Sequence, residues 1–362
     1  MSAQKQFETR IIRPSDSDYE ESFAAAVEAL KAGETVAFPT ETVYGLAAIY
    51  DSAEAVRKIY EVKGRPQDNP LIVHLYDFAD LDRVVASCPA DALRLWEEFA
   101  PGPLTLILPR HPLVPKEVSA GLATVAVRFP EHPLARDLIQ AVGKPLVAPS
   151  ANSSGRPSPT QALHVFADLA GKIPYILDGG ECNWGLESTV LDLCQKPYRI
   201  LRPGAISKRA IEALLGGSVL TAEKIAGEAD AEAPVRAPGM KYKHYAPKIP
   251  VRMMAPQDQA CLKAFQAEFK NPRVYLISSE SLPILSSLEP ELLPLVLNAE
   301  AGEIKPSAAY YLSYDEAKLA AQQLFAAFRQ AEGFATAILV EAVKDVDLGP
   351  AFLNRLEKAA AE

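Results

Sequence analysis

From Ser17 to about Leu215 the chain alternates apolar residues at helical spacing with short continuous apolar runs. "YEESFAAAVEALKAG" repeats its apolar positions every three or four residues and stops at Gly33, and "TVAFPT" follows as a strand. Further strands are predicted at "LIVHL", "LTLILP", "TVAVRFP", "PLVAPS", "YILDGG", "STVLDL" and "YRILRPG". Helices are predicted at "AEAVRKIYEVK", "ADALRLWEEFA", "PLARDLIQAVG" and "TQALHVFADLAG". The last three strands have no helix between them, so the pattern predicts an α/β domain on a twisted mixed sheet rather than a strictly doubly wound one.

The periodicity lapses over residues 216–249, a stretch rich in Ala, Gly, Glu and Pro that reads as a linker. A second, smaller α/β alternation then runs through "VRMMA", "DQACLKAFQAEFK", "RVYLIS", "YDEAKLAAQQLFAAFRQAEG", "TAILVEAV" and "GPAFLNRLEKAAAE". The reading is therefore a domain over 1–215, a linker over 216–249 and a second domain over 250–362.

Composition narrows the function classes. A hydrophobic content of 49% over 362 residues supports two real cores, and a net charge of −9 argues against a broad nucleic-acid surface. The four cysteines form no C-x-x-C pair, so neither a zinc site nor a disulfide framework is expected. No run has the length of a signal peptide core or a membrane span, which predicts a soluble cytoplasmic protein.

The G-x-x-x-x-G-K-[ST] and G-x-G-x-x-G nucleotide signatures are missing, so a phosphate site has to be built differently. In "KGRPQDNPLIVH", Pro66 and Pro70 disfavour helix in the residues before them, which puts Lys63 and Arg65 on a loop that feeds a strand ending at His74. Arg128 and Arg202 each close an apolar strand, where a charge reaches the sheet edge or pairs with an anion. Taken singly, each is most simply a structural ion pair, and His74 a satisfied core histidine. Four cations on loops and strand ends of one domain point to a polyanionic ligand. Thr40, Thr42, Ser150, Asn152, Ser188 and Thr189 add neutral hydrogen-bonding groups beside strands. Cations with neutral donors and acceptors, and no defensible triad or carboxylate pair, suit transfer at phosphorus.

In order along the chain, "FPTETVYGL", "KGRPQDNPLIVH", "PGPLTLIL", "VAVRFP", "APSANSSGRPSPT", "GLESTV" and "LRPGAI" resemble the YrdC/Sua5 family of threonylcarbamoyl-AMP synthases. "PGMKYKHYAP" and "LGPAFLNRLEKAA" resemble the linker and ending of its longer, two-domain Sua5 branch. The resemblance implies a YrdC-type α/β domain, a Rossmann-like second domain and a linker that acts as an active-site lid. It implies synthesis of L-threonylcarbamoyladenylate and pyrophosphate from L-threonine, bicarbonate and ATP, with Mg²⁺ bound through the ATP phosphates. The product would pass to the machinery that modifies adenosine 37 of tRNA; direct tRNA binding is left open.

Matched motif by motif, Thr40, His74, Arg128, Ser150 and Ser188 would hold threonine. Lys63, Arg65, Asn69, Thr124, Asn152, Thr160, Arg202 and, from the linker, Tyr245 would hold ATP, with Lys63, Arg65 and Arg202 carrying the catalytic charge neutralisation. Ala237 stands where many linker motifs have serine, so any contact made by that hydroxyl is absent. Two other classes fit the same residues: an RNA-binding module gripping a phosphate backbone, and a carbamoyl-transfer domain fed by carbamoyl phosphate.

Overall fold

The alternation of apolar runs with amphipathic segments resolves, in a computed structural model, into two compact units. Residues 6–221, 245–254, 274–277, 294–296, 309–312, 317–333, 335, 337–341 and 348–361 are described. The first unit comprises Met1–Ser154 and Ser158–Tyr242, and the second comprises Gly155–Pro157 and Lys243–Glu362. Most of the segment read as a lid, residues 222–244 with Ala237 among them, lies outside the described residues, as does the helix expected at "DQACLKAFQAEFK".

The first unit is organised on strands β1 (Arg10–Ile12), β2 (Val36–Phe38), β3 (Gly45–Ile49), β4 (Ile72–His74), β5 (Leu104–Pro109), β6 (Thr124–Arg128), β7 (Leu146–Val147), β8 (Tyr175–Leu177), β9 (Thr189–Asp192), β10 (Arg199–Arg202) and β11 (Leu220–Thr221). They form one sheet in the order β1-β8-β2-β3-β7-β4-β6-β5-β9-β10-β11. Parallel pairs such as β4 with β6 alternate with antiparallel ones such as β5 with β6, so the sheet is mixed. The eight strands expected from the pattern are present. β1 and β11 are too short to stand out in sequence, and "GLAAI" (β3) carries glycine and alanines where β-branched residues usually mark a strand. Because β11 pairs in parallel with β10, the catalytic sheet continues beyond Leu215.

Helices close where their end residues allow it. The helix Ala53–Lys63 starts at Ser52, whose side chain accepts from the Ala55 N–H, and stops at Gly64 in the left-handed region at φ 63°. Lys63 is thus the last helical residue. The expectation that it rides on a loop is corrected: the helix runs up to Gly64, two residues ahead of Pro66, and carries Lys63 in its last turn. The buried faces of this helix and of Ala90–Phe99 and Pro133–Val142 join the strands in one continuous core, with Trp96 fully buried and meeting Phe129 edge to face at 5.2 Å.

Among its described residues the second unit has five strands, β12 (Val251–Met254), β13 (Val274–Ile277), β14 (Pro294–Val296), β15 (Ala309–Leu312) and β16 (Ala337–Glu341), in the order β12-β16-β13-β15-β14. All four pairings are parallel. Helices Ala317–Ala331 and Gly349–Ala360 accompany them, burying Phe325, Phe328 and Phe352. Among the described residues, no helix is long and apolar enough to cross a membrane.

Gly204, after β10, is packed so closely that a Cβ there would stand 2.3 Å from the Thr189 nitrogen and 2.8 Å from the Glu187 oxygen. Those are backbone atoms and cannot rotate away. Gly204→Ala should therefore push the Glu187–Thr189 backbone outward and cost about 1–3 kcal/mol, the usual range for overpacking. Thermal unfolding measures this, and an unchanged midpoint would show that the loop yields freely.

Candidate active site

Register alone assembles the first part of the site. His74 at the end of β4 lies directly opposite Arg128 at the end of β6, and Arg128 lies opposite Thr105 on β5. Directly paired residues project to the same face of a sheet, so the three side chains form a row across adjacent strands. Thr105 Oγ1 is 2.7 Å from Ser188 Oγ, just ahead of β9. Arg202, closing β10, extends the row: its Nη2 donates to Ser188 Oγ at 3.0 Å and its Nε to the Ser188 carbonyl at 3.1 Å. Every member is buried.

The loop between β2 and β3 is fixed onto this row. Glu41, 1% exposed, accepts from Arg128 Nη2 at 2.6 Å through Oε1 and from the Glu131 N–H at 3.1 Å through Oε2. Arg128 Nε donates to the Gly102 carbonyl at 3.3 Å. Thr40 organises the turn itself: its hydroxyl donates to the Val43 carbonyl at 2.7 Å and accepts from the Val43 N–H at 3.2 Å. Trp184 N–H donates to the Glu41 carbonyl at 2.9 Å.

His74 is held neutral. Burial, and after it the charge of Arg128, push its pKa down to about 3. Nδ1 faces the Ile72 carbonyl at 3.1 Å, and a carbonyl can only accept, so Nδ1 carries the proton and Nε2 is left with a lone pair. Its ring stands edge-on to Phe38 at 5.9 Å.

A second cluster gathers around the helix end. Lys63 Nζ donates to the carbonyls of Ser150 and Asn152, and the Lys63 carbonyl accepts from the Ser154 N–H at 2.8 Å. Ser150 bridges to Gly45 on β3 and donates its hydroxyl to Asn152 Oδ1. Nearby in sequence, Arg65 folds its guanidinium back over its own loop, Nε to the Asn69 carbonyl at 3.1 Å and Nη2 to the Pro70 carbonyl at 2.9 Å. Asn69 Oδ1 is a buried acceptor with no hydrogen-bond partner among the described residues. Thr124 opens β6, at the other end of that strand from Arg128.

By their hydrogen bonds within the protein, the expected threonine and ATP residues fall into two groups. His74, Arg128 and Ser188 stand with Arg202, while Ser150 stands with Lys63 and Asn152. Thr124 and Arg128 mark the two ends of β6, about 13 Å apart at roughly 3.3 Å per residue. Thr160 is engaged elsewhere: its hydroxyl lies 3.4 Å from His164 Nδ1, and its carbonyl accepts from Cys182 N–H. In the second unit, Tyr245 adopts a left-handed backbone at φ 68° and stacks on Phe325 at 5.3 Å, with the Arg355 guanidinium 5.6 Å from its ring centre.

Two site residues were passed over in the sequence. Glu41 stands inside "FPTETVYGL", where the threonines drew attention; a carboxylate amid apolar residues just after a strand was the signal to pair it with a buried arginine. Thr105 had no signal beyond being the polar residue of "LTLIL".

Comparison with known proteins places the chain as a whole. A family profile described as "Telomere recombination" (Sua5_yciO_yrdC) matches residues 28–204, and one described as "Threonylcarbamoyl-AMP synthase, C-terminal domain" matches 206–361. The threonylcarbamoyl-AMP synthase of Pyrococcus abyssi is 40% identical over 335 residues, 91% of this chain and 92% of that protein. That of Bacillus subtilis is 42% identical over 343 residues, 93% of this chain and 92% of its own. The crystal structure of P. abyssi Sua5 complexed with L-threonine superposes with a TM-score of 0.82 at 38% identity, covering 97% of both chains. With both units matched in order and relatives covered nearly end to end, the chain belongs to the threonylcarbamoyl-AMP synthase family in its two-domain Sua5 form.

Proposed function

We propose that this chain acts as a nucleotidyltransferase that joins L-threonine, bicarbonate and ATP into L-threonylcarbamoyladenylate and releases pyrophosphate. The supporting observation is the pairing, on one sheet, of a fixed polar row at one strand end with a separate group of cations and amides toward the other. An elongated substrate with an amino-acid end and a phosphate end matches such a division.

In this reading Arg128 meets the threonine carboxylate, Ser188 and Thr40 orient the amino acid, and the His74 Nε2 lone pair accepts from its hydroxyl or amine. Lys63, Arg65, Asn69, Thr124 and Asn152 take the nucleotide and its phosphates. Arg202, anchored on Ser188, serves the nucleotide, and Ser150, beside Lys63, serves the amino acid; Thr160 and Tyr245 act as further nucleotide contacts. The threonine amine loses a proton and combines with bicarbonate to give a carbamate and water. A carbamate oxygen then attacks the α-phosphorus and pyrophosphate leaves. The cations neutralise charge on the departing oxygens, the term that dominates transfer at phosphorus. Mg²⁺ would be held through the ATP phosphates and would help neutralise their charge, while Lys63, Arg65 and Arg202 meet the phosphate oxygens with N–H donors. The product goes to a cytoplasmic tRNA threonylcarbamoyl-transfer step.

An RNA-binding role for the same cations is disfavoured by their burial: Lys63, Arg65, Arg128 and Arg202 are each 4–9% exposed, whereas a phosphate-backbone groove displays its cations. Mass spectrometry of products from ATP, threonine and labelled bicarbonate tests the reaction. Label in a threonylcarbamoyl-AMP species is expected; label-independent product from carbamoyl phosphate would replace the reading.

Arg65→Ala should raise the ATP requirement by about tenfold or more, the worth of a charged hydrogen bond of roughly 1.5–3 kcal/mol, and leave threonine binding within about twofold. Calorimetric titration with ATP is the measurement, and unchanged affinity removes Arg65 from the site.

His74 also gives a pH prediction. Its folded pKa of about 3 lies below the unfolded value near 6.5. Between these values the unfolded chain binds the extra proton, so stability falls as pH drops through that window and His74 contributes no pH dependence above it. Compared with His74→Gln, the wild type should lose about 2 kcal/mol more on going from pH 7.5 to pH 5 in urea unfolding. Parallel losses would mean that His74 is charged in the folded state.

A further inference from the structure

We propose that Glu41 is a positioning residue for the amino-acid substrate: it fixes the Arg128 guanidinium in the orientation that receives the substrate carboxylate. The inference rests on the assignment of Arg128 to threonine made above.

The geometry carries the argument. An arginine side chain has five N–H donors in a rigid planar fork, and its use depends on which edge faces the ligand. Arg128 commits Nη2 to Glu41 at 2.6 Å and Nε to the Gly102 carbonyl at 3.3 Å. These two anchors lie at separate points of the fork and define its plane. Nη1 makes no hydrogen bond among the described residues, so its two N–H groups, with the second N–H of Nη2, are the donors left for a ligand. His74, which shares the β4–β6 register with Arg128, is neutral and adds no opposing charge. Glu41 is itself held from three sides, by Arg128, by the Glu131 N–H at 3.1 Å and through its carbonyl by the Trp184 N–H at 2.9 Å. The carboxylate therefore ties the strand end of β6 to the segment that follows it and to the β2–β3 loop bearing Thr40.

A buried guanidinium without its carboxylate would turn toward whichever acceptor is nearest, the substrate carboxylate or a carbonyl, with no defined plane. Glutamine is the discriminating substitution. Glu41 faces two donors, Arg128 Nη2 and the Glu131 N–H, whereas a carboxamide has one oxygen and one NH₂, so Gln satisfies one donor and confronts the other. The shape is conserved and the anchoring is lost.

The test is steady-state kinetics on the full chain with Glu41→Gln, Glu41→Asp and Arg128→Lys, with L-threoninamide, which lacks the carboxylate charge, as a competitive probe. For Glu41→Gln we expect the KM for threonine to rise about tenfold, with the KM for ATP and the inhibition constant of L-threoninamide within about twofold of wild type and kcat within about threefold. Glu41→Asp keeps the charge and should show a smaller rise in the same parameter; it carries the same measurements if the glutamine variant does not fold. An unchanged KM for threonine in a folded Glu41 variant overturns the proposal, and so does an equal rise for threonine and L-threoninamide, which would mark general damage to the pocket. Arg128→Lys separates the two levels. If it leaves the KM for threonine unchanged, the assignment of Arg128 is wrong and the proposal falls with it. If it raises that KM while Glu41→Gln does not, the role of Glu41 alone is refuted.

Discussion

A guanidinium cannot be buried in an apolar sheet unless its donors are met, and the arrangement of the first unit follows from how Arg128 meets that constraint. Its strand is apolar on both sides of the sheet, and the residue is 4% exposed. Unpaired, such a charge would cost several kcal/mol. Glu41 supplies the counter-charge, and to do so the loop after β2 has to lie against the end of β6. That placement brings Thr40 to the row of strand ends, and the charge of Arg128, added to burial, keeps His74 neutral. One ion pair thus decides where a loop runs and which protonation state a neighbouring residue holds.

The remaining cations follow the same rule with weaker partners. Lys63 and Arg65 are satisfied largely by backbone carbonyls, from the Ser150–Asn152 tip and from the Asn69–Pro70 turn. A carbonyl carries only a partial charge, so a phosphate oxygen arriving at the same N–H groups makes the stronger, charge-assisted bond. Arg128, with a full carboxylate already in place, gains less from exchanging it. In the function proposed above, Arg128 with its carboxylate partner serves the amino-acid end of the substrate and Lys63 and Arg65 its phosphate end, without any motif of the usual nucleotide-binding kinds.

Much of this was legible in the sequence, for reasons that can be named. Apolar strands ending in Arg128 and Arg202 pointed to charges that need a sheet edge or an anionic partner, and "PLVA" ending at Pro149 pointed to a polar Ser-Ala-Asn tip, of which the structure buries Ala151 and Asn152. The mixed sheet followed from consecutive strands without helices. What the sequence could not show was register. Nothing local to His74, Arg128 or Thr105 says that they face one another across three strands, because pairing is set by contacts far apart in the chain. Lys63 was misplaced because the extended loop read from Pro66 and Pro70 was carried back across Gly64, which in the left-handed region ends the helix and leaves Lys63 on its last turn. Glu41 was overlooked because a glutamate between two threonines looks like a polar turn until the arginine that needs it, 87 residues away, is brought alongside.

The net charge of −9 and the cationic site are compatible once burial is considered. A surface stripe of lysines works through long-range field and is screened by salt within about 10 Å. The cations here lie inside the protein, each fixed by named oxygens. An acidic exterior does not oppose such a site. It reduces non-specific attraction for nucleic acid, so that selection falls to the geometry of the donors, and in that geometry the plane of Arg128, set by Glu41 on one edge and Gly102 on another, is the most tightly specified element.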